Sequence, residues 1–205
     1  MNECWIFGGG YVGEYSSISV PADAFIIAAD AGLMHTDKLG LKPNLIVGDF
    51  DSYPDKIVQE QNVIRLPVRK DDTDMMFAVK KALELGYKEI TLCGALGGRL
   101  DHTYANIQTL EYISEHGGNG RIVSDSNIVM LQKSGSVSYP AMEGWYFSVF
   151  SLSEDAVVSL KGTAYTLDSY KLTRDFPLGV SNEITLANAE VTVDRGCLII
   201  MYSKK

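Results

Sequence analysis

The chemistry of this chain is concentrated first in Gly48-Asp49-Phe50-Asp51-Ser52, where two acids two residues apart follow the apolar run Leu45-Ile46-Val47. In an extended segment, positions i and i+2 point to the same side. Asp49 and Asp51 therefore aim two carboxylates into one small space at the end of a buried strand. Two like charges about 4 Å apart cost roughly 4 kcal/mol at an effective dielectric of about 20. A cation relieves that cost. Hard oxygen donors suit Mg²⁺, which binds through one or two carboxylates together with substrate phosphates. Taken alone, the pair fits a solvated acidic turn equally well.

Further acids fall at comparable places. Asp30 follows Phe25-Ile26-Ile27-Ala28-Ala29, and Asp71, Asp72 and Asp74 precede a helix-like stretch. Asp101 closes the segment Gly94-Ala95-Leu96-Gly97-Gly98-Arg99-Leu100-Asp101, which follows Ile90-Thr91-Leu92-Cys93. Ligands of open α/β sheets bind outside the carboxyl ends of the strands, so acids scattered in sequence are expected to gather at one edge. Asp71 and Asp74 are read as functional, and Asp72 as capping or solvated, because acids also suit a helix N-terminus.

Gly8-Gly9-Gly10 after the first strand lets backbone amides approach phosphate, with the next segment expected to place a helix N-terminus there. It matches neither the dinucleotide fingerprint nor the P-loop pattern, and a tight turn is an equal reading. In Gly97-Gly98-Arg99-Leu100-Asp101-His102 the glycines expose backbone donors, and Arg99 offers a bidentate fork for phosphate oxygens. Asp101 is a candidate for metal or ribose, and His102 for capping or phosphate. The competing reading is a glycine turn with an Arg99–Asp101 surface pair. His35 and His116 read as surface or helix-end residues.

These residues need elements to position them. Up to about residue 125, strand-like runs at Trp5–Phe7, Ala24–Ala29, Leu45–Val47, Asn62–Leu66, Glu89–Cys93 and Arg121–Ser124 alternate with helix-like segments. Continuous apolar strands imply a parallel sheet covered on both faces. The clearest helix runs from Met75 to Leu85, with Asp72 or Thr73 as N-cap and Gly86 as C′ residue. A second runs from about His102 to Glu115. Beyond Ser124 the texture becomes short strands: Asn127–Gln132, Trp145–Leu152, Ala156–Leu160, Ile184–Ala187, Glu190–Val193 and Cys197–Tyr202. The expected fold is an N-terminal, mostly parallel α/β/α sandwich over residues 1–133, followed by a small all-β sandwich over 134–205.

Composition narrows the function. With 18 basic and 26 acidic residues the formal net charge is −8, which disfavours a nucleic-acid binder because phosphate contacts need a basic face. ATP stays open, since a local metal inverts the sign of a site. Cys4, Cys93 and Cys197 read as core residues of a reducing compartment. The start lacks a basic n-region and no apolar run approaches membrane-spanning length. A soluble cytoplasmic protein without a membrane partner is expected.

Together these segments resemble the thiamine pyrophosphokinase (thiamine diphosphokinase) family. The resemblance rests on Asp30-Ala31-Gly32, on Pro43 to Ser52, on Lys70-Asp71-Asp72-Thr73-Asp74, on Gly94 to His102 with Asn106, and on Gly179-Val180-Ser181-Asn182-Glu183. The departures are Ala31, where Asp-Gly-Gly is common, and Tyr165-Thr166-Leu167, where aromatic-Pro-Leu is usual. The resemblance implies transfer of a pyrophosphoryl group from ATP to the thiamine hydroxyl, giving thiamine diphosphate and AMP. It implies Mg²⁺, a homodimer, and a thiamine site that the β-sandwich helps to form at the subunit interface. It makes Asp49, Asp51 and Asp74 the metal carboxylates, with Asp30, Asp71 and Asp101 nearby. Gly8, Gly9, Gly10, Thr73, Gly97, Gly98, Arg99, His102 and Asn106 fall on the nucleotide side. Ser181 and Asn182 face thiamine, and Asp71 or Asp101 orients the attacking hydroxyl. The same acids would serve a diphosphokinase of another hydroxymethyl heterocycle such as a pterin, but the Gly179–Glu183 segment favours thiamine. A non-catalytic ATP-binding module would not need so many costly acids.

Overall fold

The computed structural model describes residues 3–49, 62–67 and 71–205, which separate into compact units at 1–125 and 126–205. The first unit is built on six parallel strands: β1 (Glu3–Phe7), β2 (Phe25–Ala29), β3 (Leu45–Gly48), β4 (Val63–Arg65), β5 (Glu89–Cys93) and β6 (Asn119–Val123). They lie in the order β4-β3-β2-β1-β5-β6, every pairing parallel. The central strands are apolar along their length because helices cover both faces of such a sheet. All four residues of β3, and the last four of β1, β2 and β5, are buried.

Among the described residues, three helices accompany this sheet: α1 (Leu33–Lys38), α2 (Asp74–Glu84) and α3 (Leu100–Glu115). Helix α2 starts where the sequence predicts. Thr73 is its N-cap, with Oγ1 accepting from the amide of Met76 at 3.1 Å. Its buried stripe is Met75, Ala78, Val79 and Ala82, a 3–4 spacing that turns one face to the core. Helix α3 starts two residues earlier than the pattern suggests. Helix α1 was not expected; at six residues it shows too few turns for a periodic signal. No helix follows Gly8-Gly9-Gly10, only a short 3₁₀ turn at Tyr15–Ser17, so the expected helix N-terminus there is absent.

Chain order and spatial order reverse between β1 and β5. The chain winds outward from β1 through β2, β3 and β4, then returns to the other flank with β5 and β6. The connections from β1 to β2 and from β5 to β6 consequently run to opposite sides and leave a crevice at the carboxyl edge. Gly8–Gly10 follows β1 and Gly94–Gly98 follows β5, so the glycine segments meet at this reversal.

The second unit has two antiparallel sheets. One contains β7 (Asn127–Gln132), β13 (Leu198–Lys204) and β9 (Trp145–Ser151), with β13 between the other two. The other is ordered β11-β10-β12-β8, from Leu167–Thr173, Asp155–Lys161, Asn188–Arg195 and Gly135–Pro140. Alternate residues face a shared core. Val191 and Val193, Val158 and Leu160 from one sheet meet Phe147, Val149, Leu198 and Ile200 from the other. This is a sandwich. Strand β7 pairs with β13, which places residues 127–132 with the sandwich, whereas the sequence reading had the division after 133.

Strands β8 and β11 escaped the sequence reading because both lie at sheet edges. Each buries one residue, Tyr139 and Leu172 respectively, and so neither shows apolar alternation. The expected strand Ile184–Ala187 is instead a single bridge from Ile184 to Thr163. The buried cysteines Cys4 and Cys93 are core residues, with burial pushing each thiol up to about 12. Among the described residues, no helix is long and apolar enough to cross a membrane.

Candidate functional site

A cleft of about 430 Å³ occupies the crevice at the strand-order reversal. Gly8, Gly9 and Gly10 come to it from the end of β1, and Asp30 and Ala31 from the end of β2. Thr73 and Asp74 come from the start of α2, Gly97, Gly98 and Arg99 from the approach to α3, and His102 from its first turn. Segments distant in sequence thus converge as the fold class requires.

The two glycine segments are laced together by backbone hydrogen bonds. The Gly8 amide donates to Cys93 O at 2.8 Å, the Gly10 amide to Gly94 O at 2.7 Å, and the Tyr11 amide to Leu96 O at 2.6 Å. Side chains would prevent this approach. A Cβ on Gly10 would sit 2.7 Å from both Gly94 O and Leu96 O. Gly94 has φ +65° and a Cβ there would collide with Gly8 O. Asn106 fastens the lacing from α3: buried, its Nδ2 donates to Ala95 O at 2.7 Å. Its amide is committed to the loop, which makes it a support of the cleft wall.

Asp30 has φ +50°, a left-handed conformation that Asp tolerates better than most residues. Asp74 is the first residue of α2, where the helix dipole favours its charge. Asp72 is spent elsewhere, with Lys80 Nζ donating to both carboxylate oxygens at 2.8 and 2.7 Å. The sequence makes Asp72 a cap or a solvated acid; instead Thr73 caps α2 and Asp72 is held in this ion pair. Asp71 is exposed and stands outside the cleft lining. Asp49 follows β3 on the same sheet edge, half-buried and beyond the lining. Asp51 lies outside the described residues. Among those described, no three acids, histidines or cysteines converge on one metal-sized space. Mg²⁺ asks for less, one or two carboxylates beside substrate phosphates. Asp30 and Asp74, both lining the cleft, supply donors of that kind.

Arg99 and Asp101 form a bidentate pair. Nε donates to Oδ1 at 3.2 Å and Nη2 to Oδ2 at 2.6 Å, with both side chains more than 60% exposed (72% and 64%). The hydrogen bond from Arg99 holds the Asp101 carboxyl below its usual range, and Asp101 raises Arg99. Only Arg99 of the two lines the cleft. The surface pair and the phosphate clamp are therefore two uses of one guanidinium. An exposed pair contributes about 0–1 kcal/mol, a small cost for the fork to change partner.

His35 is a correction to the sequence reading. It is no surface residue but 5% exposed, on α1 beneath the first glycine loop. Its Nε2 lies 2.9 Å from Gly10 O and its Nδ1 2.7 Å from the Tyr15 hydroxyl. A carbonyl only accepts, so Nε2 carries the proton and Tyr15 donates to Nδ1 of the neutral ring. Burial lowers the imidazole from its ordinary value, the Gly10 hydrogen bond opposes that shift, and Lys38 adds to it. The partner groups come from irregular turns, which is why periodicity gave no signal.

The second unit has its own cavity of about 580 Å³, lined by Leu160, Tyr165 to Leu167, and Leu178 to Asn182. Ser181 is exposed with φ +56°, its amide donating to Ser148 Oγ at 3.0 Å. Asn182 is buried, and its side chain clamps Tyr165. Its Oδ1 accepts from the Tyr165 amide at 3.0 Å and the Glu183 amide at 2.9 Å, while Nδ2 donates to Tyr165 O at 2.8 Å. Tyr165 itself is 74% exposed at the cavity. In the sequence Tyr165 stands out only as part of a departure from the family's aromatic-Pro-Leu pattern.

Comparison with known proteins bears on both units. Residues 19–119 match the family described as thiamin pyrophosphokinase, catalytic domain, and residues 136–198 match thiamin pyrophosphokinase, vitamin B1 binding domain. A thiamine pyrophosphokinase of Bacillus subtilis is 29% identical over 187 residues, 86% of each chain. The crystal structure of thiamine pyrophosphokinase from Bacillus subtilis superposes with a TM-score of 0.91 at 25% identity, covering 100% of both chains. That of thiamin pyrophosphokinase from Geobacillus thermodenitrificans gives 0.86 at 28% identity, covering 99% of this chain and 98% of the other.

Proposed function

The chain belongs to the thiamin pyrophosphokinase family, and on that premise we propose how its residues carry the reaction. The enzyme transfers the pyrophosphoryl group of ATP to the hydroxyl of thiamine, releasing thiamine diphosphate and AMP. The observation that carries this reading is the laced glycine cleft in the unit matched by the catalytic model. It is joined by a separate cavity in the unit matched by the vitamin-binding model.

ATP phosphates lie against the Gly8–Gly10 and Gly97–Gly98 loops, where no side chain obstructs their approach; the Gly8 and Gly10 amides themselves stay in the lacing and hold the loop's shape. Arg99 leaves Asp101 and grips phosphate oxygens with both arms of its fork. Asp49, Asp51 and Asp74 would hold Mg²⁺, and Asp30 offers a further carboxylate to the cleft. When bound there, the ion would supply charge neutralisation for phosphates that the acidic cleft otherwise repels. The thiamine hydroxyl is oriented by Asp71 or Asp101. Asp101 is a poor proton acceptor while Arg99 holds it, and becomes more basic when Arg99 turns to phosphate. Positioning and charge neutralisation account for the greater part of such a transfer.

In the second unit Ser181 meets thiamine directly. Asn182 acts by holding Tyr165, whose ring offers an aromatic face to the heterocycle. The working form is a cytoplasmic homodimer with the vitamin cavity at the subunit interface. A unit of 80 residues (126–205) buries too little surface for ample stability alone.

The test is product analysis. With ATP, thiamine and Mg²⁺ the expected nucleotide product is AMP, and chelation of the metal abolishes its release. Dominant ADP would indicate single phosphoryl transfer and refute the reading. AMP release with a hydroxymethylpterin but not with thiamine would transfer the assignment to the other heterocycle.

A further inference from the structure

We propose that His35 is a positioning residue for nucleotide binding, fixing the peptide plane at Gly10 so that the first glycine loop keeps the shape that receives phosphate. This rests on the reading of the cleft as the ATP site.

The geometry singles out one peptide unit. The carbonyl of Gly10 is held by His35 Nε2 at 2.9 Å, and the amide of the same unit, from Tyr11, is held by Leu96 O at 2.6 Å. Carbonyl and amide of one peptide lie in a single plane, so two anchors of opposite direction fix its orientation. The Gly10 amide is held in turn by Gly94 O at 2.7 Å. Glycine flanks such a unit with little steric resistance to rotation. Orientation of the Gly10–Tyr11 unit therefore has to come from hydrogen bonds.

The ring is itself held. Tyr15 O–H donates to Nδ1 at 2.7 Å, and Lys38 Nζ lies over the Tyr15 ring at 5.4 Å from its centroid. A Cβ on Gly94 would lie 3.3 Å from His35 Cδ2, so the imidazole also abuts the second glycine loop. It thus supports both sides of the strand-order reversal. A plain apolar filler would occupy the space without restraining the Gly10 carbonyl, while a buried imidazole using both nitrogens restrains it in direction.

Calorimetry with MgATP and, separately, with thiamine on the full-length protein tests this. His35→Leu removes the donor, and ATP Kd is expected to rise by at least about 10-fold, with thiamine Kd within about twofold of wild type. His35→Gln places an amide donor near the position of Nε2 and should restore ATP Kd to within about threefold of wild type. Tyr15→Phe should raise ATP Kd about threefold, and should have no further effect when added to His35→Leu. The proposal is overturned if His35→Leu lowers the melting temperature while ATP Kd stays unchanged, or if His35→Gln is as damaging as His35→Leu. Should His35→Leu fail to fold, Tyr15→Phe decides alone: an unchanged ATP Kd overturns the proposal. Absence of MgATP binding to the wild-type protein would instead refute the nucleotide reading of the cleft, and the proposal with it.

Discussion

Substituting Gly10 by alanine tests whether the laced loops shape the cleft. The new methyl would lie 2.7 Å from two carbonyl oxygens, Gly94 O and Leu96 O. Both belong to backbone and cannot swing aside as a flexible side chain can. Overpacking of this kind costs about 1–3 kcal/mol. Relief requires the loops to separate, which weakens the hydrogen bonds from the Gly10 and Tyr11 amides, at about 1 kcal/mol each. The expected loss is about 3–5 kcal/mol, a large part of a total stability of about 5–15 kcal/mol. Gly86→Ala supplies the comparison. It has φ +89° and nothing within 4 Å of the added methyl, so the cost is conformational alone, about 1 kcal/mol. Urea unfolding should rank Gly10→Ala well below Gly86→Ala. Only Gly10→Ala should raise the KM for ATP. Equal unfolding midpoints, with KM for ATP unchanged in both, would refute the claim that the lacing shapes the nucleotide site.

Asp49→Asn and Asp51→Asn should each lower turnover by at least about 100-fold, or about 2.7 kcal/mol of barrier, without loss of folding; near-normal rates at saturating Mg²⁺ would remove both from the metal site. Arg99→Lys keeps the charge but loses the planar fork, so the KM for ATP should rise or kcat fall, and unchanged kinetics would leave only the surface pair with Asp101. Asn182→Ala strips the clamp from Tyr165 and leaves buried backbone groups unpaired at about 1–3 kcal/mol; calorimetry should show thiamine affinity falling by roughly 10-fold or more, with ATP affinity little changed. Equal losses for both ligands would make the turn purely structural.

How much of this could be read from sequence follows from where the signal resides. The buried parallel strands and α2 were legible because continuous apolar runs and a 3–4 stripe are local. The glycine cleft was legible in outline, because glycine segments after two strand-like runs imply a crevice wherever chain order reverses. The place of Asp72 before α2 suggests a cap or a solvated acid, but its partner Lys80 lies eight residues on and the cap is Thr73. His35 was not legible, since its partners Gly10 and Tyr15 lie 25 and 20 residues away in irregular turns. Asn182 reads as a ligand contact in sequence, yet its amide is closed around Tyr165, 17 residues earlier. Edge strands β8 and β11 were missed for a different reason. Burial on one residue each leaves no alternation, and Ser134-Gly135-Ser136 carries turn chemistry that outweighs it.

The energetics divide the cleft into fixed and exchangeable parts. Breaking a buried hydrogen bond at Asn106 or His35 strands a polar group at about 1–3 kcal/mol, so those contacts persist through binding and release. The exposed Arg99–Asp101 pair is worth about 0–1 kcal/mol, so its arms can leave for a better acceptor. A phosphate oxygen beside a bound cation competes well for a bidentate guanidinium. The floor of the cleft therefore resists distortion by the ligand, while its rim rearranges at small cost. This order suits a transfer that depends on position. On the proposed reading the glycine loops keep their shape when ATP arrives, Arg99 follows the charge, and its departure from Asp101 removes the hydrogen bond that holds that carboxyl low.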